Sequence, residues 1–235
     1  MVTFVTWLWR GWRPIYTATH VNRLHAMLAK HMTGPWRLIC ITDDERGIDC
    51  ETFPLWTIPR AKIPARLDLP TDRVVPDCYT RLRMFDPNVG RHFGECFVSI
   101  DLDCVILKDL APLFENGYDF IAAKGYRSHL CGSMWQLRPG SHADVWQSYD
   151  PVESPKRIAS STYGCFKLSG SDQAWMSLQM PDAPLWTEAD GVYQFMELRP
   201  QRIVPANARI VFFAGSIKPW DRDCAMISPK LYTPL

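Results

Sequence analysis

The chain lacks any Cys-x-x-Cys pair, although it holds 8 cysteines. That absence argues against a zinc site of the usual spacing. Cys40 lies inside "RLICIT" and Cys96 stands before "FVSI". Thiols in such apolar runs read as buried and free, which implies a reducing, cytoplasmic setting. No apolar run reaches the ~20 residues that a membrane-spanning helix needs. The apolar start "MVTFVTWLW" has neither a basic lead nor a small-residue cleavage site, so it does not read as a secretion signal. Excess charge of one sign is missing too. With 26 basic and 25 acidic residues the net charge is +1, which argues against a general polyanion binder. A local basic patch stays open, because Arg81, Arg83 and Arg91 lie close in sequence. Internal repeats, low-complexity segments and a clear linker are also lacking. The 235 residues therefore read as one domain.

What is present is an alternation of apolar strands and amphipathic helices. Residues 2–9, rich in Val, Thr, Phe and Trp, read as a strand. Residues 15–32 read as a helix, with Val21, Leu24, Met27 and Leu28 at spacings of three and four and Gly34-Pro35 as its stop. "RLICIT" (37–42) is a second buried strand. This β-α-β opening implies a parallel pair and hence an α/β sheet. A short strand is expected over Phe53 to Ile58, then a proline-rich surface loop to residue 76. Residues 77–86 read as a helix with Asp77 as its N-cap. Further strands are expected at "ECFVSI", 118–124, 133–137 and 209–215, with apolar patterning resuming at "CVIL", a helical turn at "DLAPLF" and helices at 141–148 and 171–180. The polar stretch 149–169 reads as a loop.

The chemistry-bearing feature is "FVSIDLDCVILKDLAPLF", residues 97–114. Asp101 and Asp103 follow an apolar strand and precede another apolar run. Two carboxylates at i and i+2 beyond a strand's carboxyl end can face one hard cation. They can equally be a phosphatase nucleophile with its acid, or two aspartates in a turn. A D-x-D is expected about once by chance in such a chain. The sequence contains a second one, Asp221-Arg222-Asp223, which follows a Pro-Trp loop and reads as surface. The apolar strand before Asp101 sets the first pair apart. As a phosphatase motif it departs from the haloacid-dehalogenase pattern: Cys104-Val105 stand where Gly-Thr belongs, and the motif lies far from the chain's start.

Four stretches in the same order resemble the retaining GT-A glycosyltransferases of the glycogenin and lipopolysaccharide galactosyltransferase type, glycosyltransferase family 8. They are "FVTWLW", "YTRLRMF", the D-x-D strand with its "DLAPLF" tail, and "GSDQAW" with "FFAGSIKPW". The resemblance runs over roughly residues 2–220. It implies a single GT-A domain with a mixed, mostly parallel sheet. A nucleotide-sugar half (1–107) would end in the D-x-D, and a donor-sugar and acceptor half (108–235) would follow. It implies that Asp101 and Asp103 hold manganese or magnesium. Thr6 and Trp7 would line the uracil and ribose pocket, and the backbone at Leu102 would approach the ribose. Arg81 and Lys218 would balance phosphate charge, Gly215 would belong to the nucleotide-sugar site, and Asp172 and Gln173 would sit near the anomeric carbon. The implied activity is metal-assisted transfer from a UDP-sugar, with retention, to an acceptor that is a glycan, a protein or a hydroxylated nucleobase.

The sequence departs from that pattern at two places. Phe212 stands where the family has a metal-ligating histidine, and Leu130 where it has an asparagine. Competing expectations are therefore the phosphatase and an inactive nucleotide- or glycan-binding domain. Structural readings stand beside the individual roles. Arg81 can be a solvated helix residue, Asp172 a helix cap or first-turn acid, Thr6 a plain strand residue, and Lys218-Pro219-Trp220 an anchored turn. Of the 10 tryptophans, Trp135, Trp175 and Trp186 lie in the half expected to bind acceptor and are candidates for stacking on it.

Overall fold

The computed structural model describes residues 1–9, 16–58, 78–166, 168–200, 202–227 and 229–232. The expected proline-rich loop beyond residue 58 and the Asp77 cap lie outside the described residues. Strands β1 (Val2–Leu8), β2 (Trp36–Thr42), β3 (Glu51–Pro54) and β4 (Phe97–Ile100) are followed by β5 (Cys104–Ile106), β6 (Phe120–Lys124) and β7 (Leu130–Leu137). The series ends with β8 (Leu185–Trp186), β9 (Val192–Gln194) and β10 (Ile210–Phe212). A 7-stranded sheet runs in the order β3-β2-β1-β4-β7-β6-β8, and a 3-stranded one in the order β5-β10-β9.

The large sheet is parallel from β3 through β4. β7 runs antiparallel to both β4 and β6. β6, β7 and β8, all beyond residue 108, thus complete the sheet that the N-terminal strands begin. Because β1 is flanked by β2 on one side and β4 on the other, the strand order reverses there. Ligands of open α/β sheets bind beyond the carboxyl ends of strands at such a point.

Alternate residues of these strands enter two cores, as the period of two requires. Val5, Ile39 and Ile41 join Tyr79, Leu82, Phe85, Trp135 and Trp175 on one face. Phe4, Leu38 and Cys40 join Val21, Leu24 and Leu28 of the helix Ala18–His31 on the other. The small sheet adds Val105, Val211 and Phe213 to a third cluster. Cys40, Cys50, Cys78, Cys96, Cys104, Cys131 and Cys224 are free thiols.

Several expectations are corrected. The segment 149–169 is not a loop throughout: it carries the helix Glu153–Ala159 and a 3-10 turn at Thr162–Phe166. The helix is mostly polar, and it buries Ser154, Pro155 and Ile158. Asp150 accepts hydrogen bonds from the Val152 and Glu153 amides (2.7 and 2.8 Å) and starts the turn by the chemistry of a cap. The expected helix at 77–86 is 3-10 over Cys78–Phe85. The strand expected to residue 58 ends at Pro54, and the one expected over 209–215 is confined to Ile210–Phe212. Trp135, Trp175 and Trp186 are core residues, none more than 3% exposed, and offer no ring to an acceptor. Trp135 stacks on Phe85 (centroids 5.4 Å apart) and meets Phe97 edge-on (5.9 Å). Replacing Trp135 by Ala should cost about 3–5 kcal/mol, measured as a lower midpoint of denaturant unfolding.

Candidate active site

Asp101-Leu102-Asp103 is the link by which the chain leaves the large sheet at Ile100 and enters the small one at Cys104. Both ends of the link are tied by backbone bonds. The Asp101 amide donates to the Ser133 carbonyl of β7 (2.8 Å), and the Phe213 amide donates to the Asp103 carbonyl (2.9 Å). Arg23 of the first helix donates to the Leu102 carbonyl (2.9 Å), and the Leu102 side chain is buried. Two carboxylates are thereby fixed at the reversal point of the sheet.

Each carboxylate has a cation. Arg81 Nη1 lies 2.7 Å from Asp101 Oδ1 and also donates to the Gly132 carbonyl (3.0 Å). The same guanidinium reaches Asp172: Nη2 donates to Oδ1 (2.9 Å), and Nε lies 2.7 Å from Oδ2. Asp172 opens the helix Asp172–Gln179 and is 1% exposed. It is therefore a first-turn acid, as structural usage expects, and also a partner of the site. Arg81 is buried rather than solvated. Burial opposes its charge, but Asp172 and Asp101 hold its pKa well above the ordinary arginine value. Burial raises Asp101 to about 6 against the pull of Arg81, with Asp103 and Asp172 adding to the rise.

Asp103 is held differently. Lys218 Nζ lies 2.5 Å from its Oδ2, and the Tyr16 hydroxyl donates to the same oxygen (3.0 Å). Burial and Asp103 together push the Tyr16 phenol far above its usual range. Lys218 is aimed by its own turn, in which its amide donates to Asp221 Oδ2 (2.7 Å). Trp220 pins that turn to the first helix: the Arg23 guanidinium lies 4.5 Å from its ring, and His20 meets it edge-on at 4.4 Å. Asp221, expected at the surface as part of a second D-x-D, is half-buried and organises this turn, while Asp223 is exposed.

The remaining expected residues divide. Gln173 Oε1 accepts from the Gly132 amide (3.2 Å), beside the Arg81–Asp172 pair. Gly132 is needed at that spot, since a Cβ there would stand 2.8 Å from Arg81 Nη2. Gly215 has φ 115° and lies exposed before Lys218, a conformation suited to glycine. Thr6 and Trp7 are committed to the scaffold. The Thr6 hydroxyl donates to the Ile100 carbonyl (2.9 Å), and the Trp7 indole donates to Ser99 Oγ (3.2 Å). Phe212 is fully buried in β10, opposite Cys104. Leu130 is likewise buried. Among the described residues no group of three His, Cys, Asp or Glu side chains is placed to hold a metal. Sequence reasoning missed Tyr16, Arg23 and Gly132. Their only signal was placement at a helix start, one turn further on, and within a strand.

The 7-stranded, mostly parallel sheet with its reversal at β1 is a fold of the GT-A glycosyltransferase type. The chain is similar over 99% of its length, and 97% of the other's, to the galactosyltransferase LgtC crystallised with donor and acceptor sugar analogs, at 12% identity and TM-score 0.56. It is also similar to the glycosyltransferase GlyE of Streptococcus pneumoniae TIGR4 (13% identity, 94% of this chain and 56% of that one, TM-score 0.58). A third similar structure is the bifunctional glycosyltransferase WbbM (12%, 94% and 47%, TM-score 0.57). No model of a protein family matches the sequence, and no curated protein matches it.

Replacing Arg81 by Met should destabilise the protein by about 3–5 kcal/mol, because Asp172 is left buried without its countercharge. Adding Asp172→Asn should recover part of that loss in the same denaturation measurement.

Proposed function

We propose that the protein transfers a sugar from a nucleotide-sugar, of the UDP type, to an acceptor hydroxyl with retention of anomeric configuration. The observation that carries this reading is the continuous charge chain Asp101–Arg81–Asp172, with Lys218 on Asp103, at the reversal point of the sheet. Such a row spans the distance from a diphosphate seat to the start of a helix that carries Gln173.

A divalent cation fits this donor set in type and in charge. Aspartate oxygens are the hard ligands that magnesium and manganese take. Three carboxylates here (Asp101, Asp103, Asp172) already balance three cations (Arg81, Lys218, Arg23), so an incoming diphosphate needs added positive charge. Asp101 and Asp103 would hold the ion, with Phe212 contributing nothing. When bound, it supplies charge against the departing diphosphate.

The protein's own residues account for the rest. In the transfer the bond from the anomeric carbon to the β-phosphate oxygen breaks, and its electron pair leaves with UDP. The acceptor oxygen forms the new bond on the same face, and its proton passes to the departing phosphate. Lys218 is the mobile cation of the set, because its ammonium can move from Asp103 to a phosphate oxygen and stabilise the leaving group. Asp172 is enclosed by Arg81 and acts as a fixed negative charge facing a transition state of oxocarbenium character. That enclosure disfavours its bonding to the sugar. Gln173, held by Gly132, orients the donor.

Calorimetry with UDP, with and without manganese, should show binding that manganese strengthens, and a UDP-release assay over several UDP-sugars should identify the donor. Asp101→Ala should abolish release while the folded circular-dichroism spectrum persists; full activity in that variant removes the reading. Lys218→Ala should lower kcat about 100- to 1,000-fold, with a smaller change in KM.

A further inference from the structure

Beyond Gln173 the site opens into a cavity of about 310 Å³ whose lining includes Tyr126, Arg127, Gln194, Arg199 and Ser216. Gln173, proposed to orient the donor, lines it, and neither Asp101 nor Asp103 does; on the proposed reading the cavity is therefore taken as the acceptor's. Its charged lining is of one sign: Arg127 and Arg199 line it and no acidic residue does. Neither arginine has an ion-pair partner among the described residues. Glu197, two residues before Arg199, is turned back to accept from the Gln194 amide (3.2 Å).

Two further observations point to a ligand. Gln194 is 3% exposed, and its Oε1 is buried with no hydrogen-bond partner. A buried acceptor left unpaired is costly, and in this cavity it suits a ligand hydroxyl. Tyr126 is 54% exposed, with the Arg127 guanidinium 5.8 Å from its ring centroid. An exposed aromatic face beside a cation suits a sugar ring that bears an anion.

Resting on the proposed transfer, we infer that the acceptor is an anionic saccharide, carrying a phosphate or carboxylate that Arg127 and Arg199 bind while a hydroxyl donates to Gln194 Oε1. Two arginines are too few to track a polymer backbone, and the net charge of +1 gives no general attraction for a polyanion, so a compact anion is favoured over nucleic acid.

The test begins with UDP and manganese titrated into the protein, which reads the donor site separately. With UDP saturating, galactose, galactose 6-phosphate, glucuronate and a short single-stranded oligonucleotide are then compared by ligand-observed NMR. The expected result is binding of at least one anionic sugar about tenfold tighter than galactose, weakening with added salt. The phosphate and carboxylate arms tell the two sources apart. The double variant Arg127→Gln, Arg199→Gln, at exposed positions, should lose that preference and keep its UDP affinity. Equal affinity for neutral and charged sugars overturns the inference. So does a preference that survives in the variant, tighter binding of the oligonucleotide, or no binding of any anionic sugar. Failure of UDP to bind in the first titration would instead strike the donor reading, with the anion preference still measurable without UDP.

Discussion

Arg81 is the residue on which the rest of the site depends. Its guanidinium joins a carboxylate at the end of β4 to a carboxylate at the start of the helix Asp172–Gln179, elements 91 residues apart at the Arg81–Asp172 step. Arginine suits this place because its planar fork serves two carboxylates and a carbonyl at once, and because it stays charged when buried. A lysine has neither property. The same fork explains Gly132: the strand that passes beneath it has no room for a Cβ.

The arrangement is electrostatically complete without ligand. Asp101 and Asp172 share Arg81, and Asp103 has Lys218 with Tyr16. Such a balance lowers the cost of placing three carboxylates in a half-buried crevice. It also separates two kinds of cation. Arg81 is enclosed and structural as well as electrostatic, whereas Lys218 is half-buried on a turn held by Asp221 and Trp220, its ammonium shared between Asp103 and the Phe213 carbonyl (3.1 Å).

Much of this was legible in the chain. The period-two runs marked β1, β2 and β4, and the three-four spacing marked the first helix, because these signals are local. The D-x-D was separable from its chance counterpart by the apolar strand before it. Resemblance put Arg81, Asp172 and Lys218 in one expected site; the ion pairs join Arg81 to Asp101 and Asp172, and Lys218 to Asp103. The helix Glu153–Ala159 escaped because its buried residues, Ser154, Pro155 and Ile158, form no apolar stripe that a sequence pattern would show. The tryptophans misled because composition cannot distinguish a ring that fills a core from one that faces a sugar.

By itself the sequence determined the order of the elements and the type of chemistry, since strand period, helix spacing and paired carboxylates are properties of neighbouring residues. Only the tertiary structure decided which charge meets which. Lys218 and Asp103 are 115 residues apart, Tyr16 and Asp103 87 apart, and the side-chain polar atoms of Thr6 and Trp7 bond to β4. It also decided the cavity with its two arginines, whose members come from the β6–β7 connection, from β9 and from the helix after it. No local pattern encodes such a meeting, because it is fixed by how two sheets pack where the chain crosses between them at Asp101-Leu102-Asp103.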